Sequence, residues 1–163
     1  MERSEREVKM LLYLIQHAEA KREEEDPLRG LTNKGFQDIK NVAPYAAKLN
    51  IKLSQIFHSG KTRALQTAQV LADHLRPEKG IAETDGLAPM DEPEIWAEHI
   101  QKMDEDIMLV GHLPHLGRLT SLLLCGDKER GIVDFKMAGI VCLKKFEDGH
   151  WAVEWMIIPE VDL

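Results

Sequence analysis

Six consecutive apolar residues, Met10-Leu11-Leu12-Tyr13-Leu14-Ile15, constrain the fold more than any other stretch of this chain. The run has the length of a strand and falls far short of the ~20 residues of a membrane span. A strand without polar alternation must be covered on both faces, as happens where helices flank a parallel sheet. A second such run, Ile107-Met108-Leu109-Val110, is closed by Gly111. Elsewhere the apolar spacing becomes helical. Thr32 reads as an N-cap, and Phe36, Ile39, Val42, Ala46 and Leu49 follow on one face, with Pro44 kinking or shortening the helix. Residues 51–58 read as a strand. Ala64, Leu65, Ala68, Leu71, Ala72 and Leu75 then form a second helical face. A short strand at 81–84 and a short helix at 95–103 precede the Ile107 run, and Leu116, Leu119, Leu122 and Leu123 give a last helical stripe ending near Gly126. Residues 139–146 and 151–158 flank Glu147-Asp148-Gly149, a hairpin turn. Strands alternating with helices imply an α/β fold whose sheet is mostly parallel, made mixed by the closing hairpin at one edge. The 163 residues, 44% of them hydrophobic, suit one domain over 1–163, with the polar residues 1–8 frayed.

A formal net charge of −7 argues against a general nucleic-acid or anionic-membrane binder, whose surfaces are usually basic. A local cluster of arginine and backbone N–H groups still permits an anionic ligand. The run at Met10 is preceded by charged residues and lacks the longer apolar region and small-residue cleavage site of a signal peptide, so a cytoplasmic location is expected. Cys125 and Cys142 lie in apolar surroundings and read as small buried hydrophobes. With no Cys-x-x-Cys and no paired-histidine helix motif, neither a metal nor a cofactor is expected.

In open α/β sheets ligands bind outside the carboxyl ends of the strands. Three such ends carry reactive or anion-binding residues here: Gln16-His17-Ala18-Glu19, His58-Ser59-Gly60-Lys61-Thr62-Arg63, and Gly111-His112-Leu113-Pro114-His115. Parallel strands bring these loops together. Neutral imidazole is a competent nucleophile near pH 7. Phosphoryl transfer also needs positive charge around the equatorial oxygens, for which Arg63 and a protonated second histidine are candidates. The Ser59-Gly60 turn into a helix suits an anion. Lys61 and the stretch Lys21-Arg22-Glu23-Glu24-Glu25-Asp26 read as solvated surface.

These segments, together with Arg29-Gly30-Leu31-Thr32-Asn33-Lys34-Gly35 and Gly86-Leu87-Ala88-Pro89, resemble the histidine phosphatase superfamily in their order and content. The likeness is greatest to its SixA-like phosphohistidine phosphatase branch. The resemblance implies a three-layer α/β/α sandwich of phosphoglycerate mutase-like type and metal-independent chemistry through a phosphohistidine intermediate. It implies His17 as nucleophile, with Arg63 and His112 contacting the phosphoryl group, and Arg29 as a supporting residue beside Ser59. The substrate so implied is a phosphorylated protein, including phosphohistidine protein, or a small phosphorylated molecule.

One residue departs from that pattern. The family carries arginine immediately before the nucleophile, and this chain carries Gln16. Glutamine donates a hydrogen bond to phosphate but lacks the charge and the bidentate fork of guanidinium. Slowed turnover is one expectation, and a degenerate phospho-ligand or phosphoprotein binding module is the alternative. A mutase or small-molecule phosphatase of the same fold is a third. Arg22, Arg29 or Lys21 are candidates to restore the charge, and Asp85, Asp91 and Glu92 are candidates for a general acid.

Overall fold

A computed structural model describes residues 7–159. Along the chain the elements are β1 (Val8–Gln16), α1 (Asn33–Ala47), β2 (Gln55–His58), α2 (Thr62–Leu75) and β3 (Ile81–Glu83). They continue with α3 (Pro93–Gln101), β4 (Ile107–Gly111), α4 (His115–Cys125), β5 (Ile140–Phe146) and β6 (Trp151–Ile157). The six strands form one sheet in the order β3-β2-β4-β1-β5-β6. The pairs β1–β4, β2–β4 and β2–β3 are parallel, while β1–β5 and β5–β6 are antiparallel. The mostly parallel, mixed sheet expected from the sequence is the one observed.

The apolar run at Met10 explains this arrangement, because β1 and β4 sit in the middle of the sheet with helices on both sides. Side chains alternate across a strand. Tyr13 and Ile15 therefore join Ile39, Ala43, Ala64, Ala68 and Leu71 of α1 and α2 in one core. Met10, Leu12 and Leu14 join Trp96, Ile100, Leu116 and Leu119 of α3 and α4 in the other. Three layers result.

Some boundaries differ from the expectation. β2 is only Gln55–His58, because residues before it bond to loops: Ser54 N–H donates to Asp106 O at 2.9 Å, and Leu53 O accepts from Glu78 N at 3.0 Å. α1 runs through Pro44 but stops at Ala47, where Lys48 and Leu49 turn tighter onto Tyr45 O and Ala46 O. Leu49 thus falls outside the helix and is 43% exposed. Cys142 is buried as expected, but Cys125 is exposed, since it closes α4 just before the left-handed Gly126. Of the stretch 1–8 expected to fray, residues 1–6 lie outside the described residues, while Val8 already pairs with Phe146. Among the described residues no helix is long and apolar enough to cross a membrane.

Thr32 caps α1 as expected, its hydroxyl oxygen accepting from Gly35 N at 2.9 Å while its proton reaches Glu19 Oε2 at 2.9 Å. Thr32→Ala should lower unfolding free energy by about 1 kcal/mol. Urea denaturation with an unchanged m-value checks this; an unshifted midpoint would mean the cap contributes nothing.

Candidate active site

Because β1, β2 and β4 are parallel neighbours, their three following loops meet at one edge of the sheet. His17 leaves β1 with its N–H on Gly111 O at 3.0 Å, and Ala18 N–H donates to Thr67 Oγ1 at 3.0 Å. The Thr67 proton in turn goes to Arg63 O at 2.8 Å. The His17 Nδ1 lies 2.7 Å from Ala18 O. A carbonyl only accepts, so Nδ1 carries the proton and the Nε2 lone pair is left for chemistry. The His112 ring lies 5.1 Å from the His17 ring, and its Nε2 is 2.6 Å from Ser59 Oγ. The Ser59 loop is held from behind, as Gly60 N–H donates to His58 Nδ1 at 3.1 Å.

Both facing histidines are neutral in the free protein. Burial pushes His17 down to about 4, helped by the charges of Arg63 and Arg29. Burial likewise pushes His112 down to about 3, with His17, Arg63, Lys61 and His115 adding to the effect. In the free protein, burial and the nearby cations thus disfavour a proton on His112, so the protonated second histidine expected from the sequence needs an anion beside it. Burial also lowers the Arg63 pKa, with Arg29 adding to it. Arg63 Nε and His112 Nδ1 are buried without a hydrogen-bond partner among the described residues.

In the unfolded chain such imidazoles take up protons near pH 6.5. The unfolded state consequently binds more protons than the folded one between pH 6.5 and about 3. Stability is complete above that window and is lost as pH falls through it. His17 and His112 together should cost about 4 kcal/mol of unfolding free energy between pH 7 and pH 5. Urea titrations at the two pH values measure this, and equal stabilities would contradict the depressed pKa values.

The other predicted residues divide. Arg29, at φ 50°, is held by Nε donation to Lys21 O at 3.1 Å and acts electrostatically on His17 and Arg63. Its neighbour Arg22 is committed to Glu25 at 3.0 Å on the surface. Gln16 is half-buried, and its carbonyl accepts from Ala138 N at 2.9 Å. Of the candidate acids, Asp91 accepts from Ala88 N at 2.9 Å, and Glu92 pairs with Lys128 at 3.1 Å. Neither is drawn to the histidine pair by any bond.

Three residues escaped the sequence reading. Thr67 joins the His17 loop to α2, and Gln66 Oε1 accepts from Leu31 N at 2.7 Å, tying the Arg29 loop to the same helix. Their sequence signal was only their place one turn after Arg63. Glu83, the last residue of β3, lies against Gly60.

No family model matches the chain. An uncharacterized protein of Picosynechococcus sp. is 32% identical over 143 residues, 83% of this chain and 85% of its own length. Among solved structures, the protein histidine phosphatase SixA complexed with tungstate matches with a TM-score of 0.82 at 21% identity, covering 92% of this chain and 97% of its own. A phosphoserine phosphatase variant from Entamoeba histolytica, bound to phosphoserine, matches with a TM-score of 0.67 at 18% identity, covering 93% and 98%. The fold is thus the phosphoglycerate mutase-like α/β fold of the SixA structure. By sequence, the chain belongs to one family with the Picosynechococcus protein.

Proposed function

We propose that this chain is a metal-independent phosphatase working through a phosphohistidine on His17, as a single domain over 1–163 and in the cytoplasm. Its substrate is a phosphohistidine protein or a small phosphorylated molecule. The observation that carries the reading is the Nδ1–H of His17 on Ala18 O. That bond fixes the ring with the Nε2 lone pair free, in a neutral imidazole that faces His112. The tungstate complex of the SixA relative adds support, because tungstate resembles phosphate in charge and shape.

The proposed chemistry has two steps. Nε2 of His17 attacks phosphorus in line as the bond to the leaving oxygen or nitrogen breaks, and the leaving group takes up a proton. Water then attacks phosphorus, the P–N bond breaks, and neutral His17 returns with inorganic phosphate released. Arg63, His112, Ser59 and Arg29 hold the phosphoryl oxygens, and Gln16 contributes an uncharged donor. Unpartnered buried donors are costly, typically about 1–3 kcal/mol each. A phosphoryl oxygen is the natural partner for the Arg63 Nε–H.

Gln16 favours a second reading, a binding module that holds a phosphoryl group with little turnover. Rapid-quench mixing with a ³²P-labelled phosphorylated substrate separates the two. The phosphatase gives an acid-labile, alkali-stable label at up to one per chain, followed by steady release of phosphate. Binding without label would establish the module instead.

A further inference from the structure

We propose that Glu83 selects substrates that carry a positive charge beside the phosphoryl group. The inference rests on the phosphatase reading of the same site and names the substrate class that the site favours.

Glu83 ends β3 at the same sheet edge as the catalytic loops, in register with His58 of β2. The next residue, Thr84, donates its N–H to His58 O at 3.0 Å, so the end of β3 is fixed to the start of the anion-binding turn. The Glu83 side chain folds over that turn. A Cβ built on Gly60 would fall on the Glu83 carboxylate, so the two lie in direct contact, and the φ of +90° at Gly60 is what favours glycine there. The residue before Gly60 is Ser59, whose hydroxyl is 2.6 Å from His112 Nε2. A carboxylate therefore sits one residue from a group that meets the phosphoryl oxygens. It is exposed, and no hydrogen bond or ion pair among the described residues uses it. Its charge is nonetheless felt inside the site, where it works against the depression of the His58 pKa.

A bare anion gains nothing from this placement. Arg63 and Arg29 attract a phosphoryl dianion, while Glu83 repels it from the lip of the same site. The repulsion is offset where the substrate brings its own cation: an ammonium two carbons from the ester oxygen, or a leaving nitrogen that is protonated. Such a substrate puts its phosphoryl group against the arginines and its cation against Glu83. A unit-charge pair ~4 Å apart in water corresponds to roughly a 5-fold effect.

The test compares O-phosphoethanolamine with n-propyl phosphate, which has a methyl where the first has an ammonium, on wild type, Glu83→Gln and Glu83→Lys. Wild type should favour O-phosphoethanolamine in kcat/KM by about 5-fold. Glutamine should bring the ratio near one and lysine should invert it. Inhibition by inorganic phosphate should tighten in the same order, by about 5-fold for each charge step. These opposite movements are not produced by a merely structural role. An unchanged ratio in Glu83→Gln overturns the inference. So does a parallel loss on both esters with phosphate inhibition unaltered, which would make Glu83 a proton donor to the leaving group. If wild type turns over neither ester nor a phosphohistidine protein, the phosphatase reading falls. Calorimetric binding of the same two compounds to the same three proteins then still decides the role of Glu83.

Discussion

Alanine at position 17 is expected to abolish the ³²P label and to reduce turnover by about 10⁴-fold or more. The size follows from what the side chain does. Of the two facing histidines, His17 is the one whose Nδ1 proton is pinned by a backbone carbonyl, leaving a defined lone pair on Nε2. No neighbour is placed to replace it, since His112 Nε2 already meets Ser59 Oγ and His115 is wholly buried. The variant should still fold. Burial and the charges of Arg63 and Arg29 push the His17 pKa down, so its removal breaks no stabilising ion pair. Phosphate binding measured beside the rate separates the two roles, because Arg63, Ser59 and Arg29 remain. Full activity in His17→Ala would remove the proposed mechanism.

The second large effect runs the other way. Gln16→Arg should raise kcat by about 100-fold, the typical worth of one preorganised donor to developing negative charge. Arg22 does not take up the missing role, being paired with Glu25, so the charge deficit beside His17 is borne by Arg63 and Arg29 alone. A new guanidinium should also push His17 further down, which keeps the nucleophile neutral at lower pH. A fall in rate, with tighter phosphate binding, would instead show that glutamine is adapted to a particular substrate and that added charge slows product release.

Most of the fold was legible because its signals are local and periodic. The unbroken apolar run of β1 demanded cover on both faces, and the switch to three-to-four-residue spacing placed α1, α2 and α4. What escaped was set by partners distant in sequence. Residues 51–54 have the composition of a strand, yet the backbone bonds of Leu53 and Ser54 go to Glu78, Lys79 and Asp106, which no local pattern announces. Cys125 sits in an apolar stretch, but its exposure depends on where α4 stops. At the site, the three loops were readable from strand-end histidines and the Ser-Gly turn. The protonation state of His112 was not, since it depends on the depth of burial and on His17, Arg63 and Lys61, brought from other loops. Thr67, Gln66 and Glu83 were invisible for the same reason: each acts on a residue of another segment.

The strands of the sheet are not equally committed. β1 and β4, which deliver His17 and His112, are paired on both sides and buried under both helical layers. β3, which delivers Glu83, is three residues long, lies at the margin and is paired only with β2. Under the proposed function, divergence among relatives can retune which phosphorylated compound is accepted by changing an outer strand, while His17 and His112 stay fixed in the interior. Selectivity and chemistry occupy separately mutable parts of one sheet.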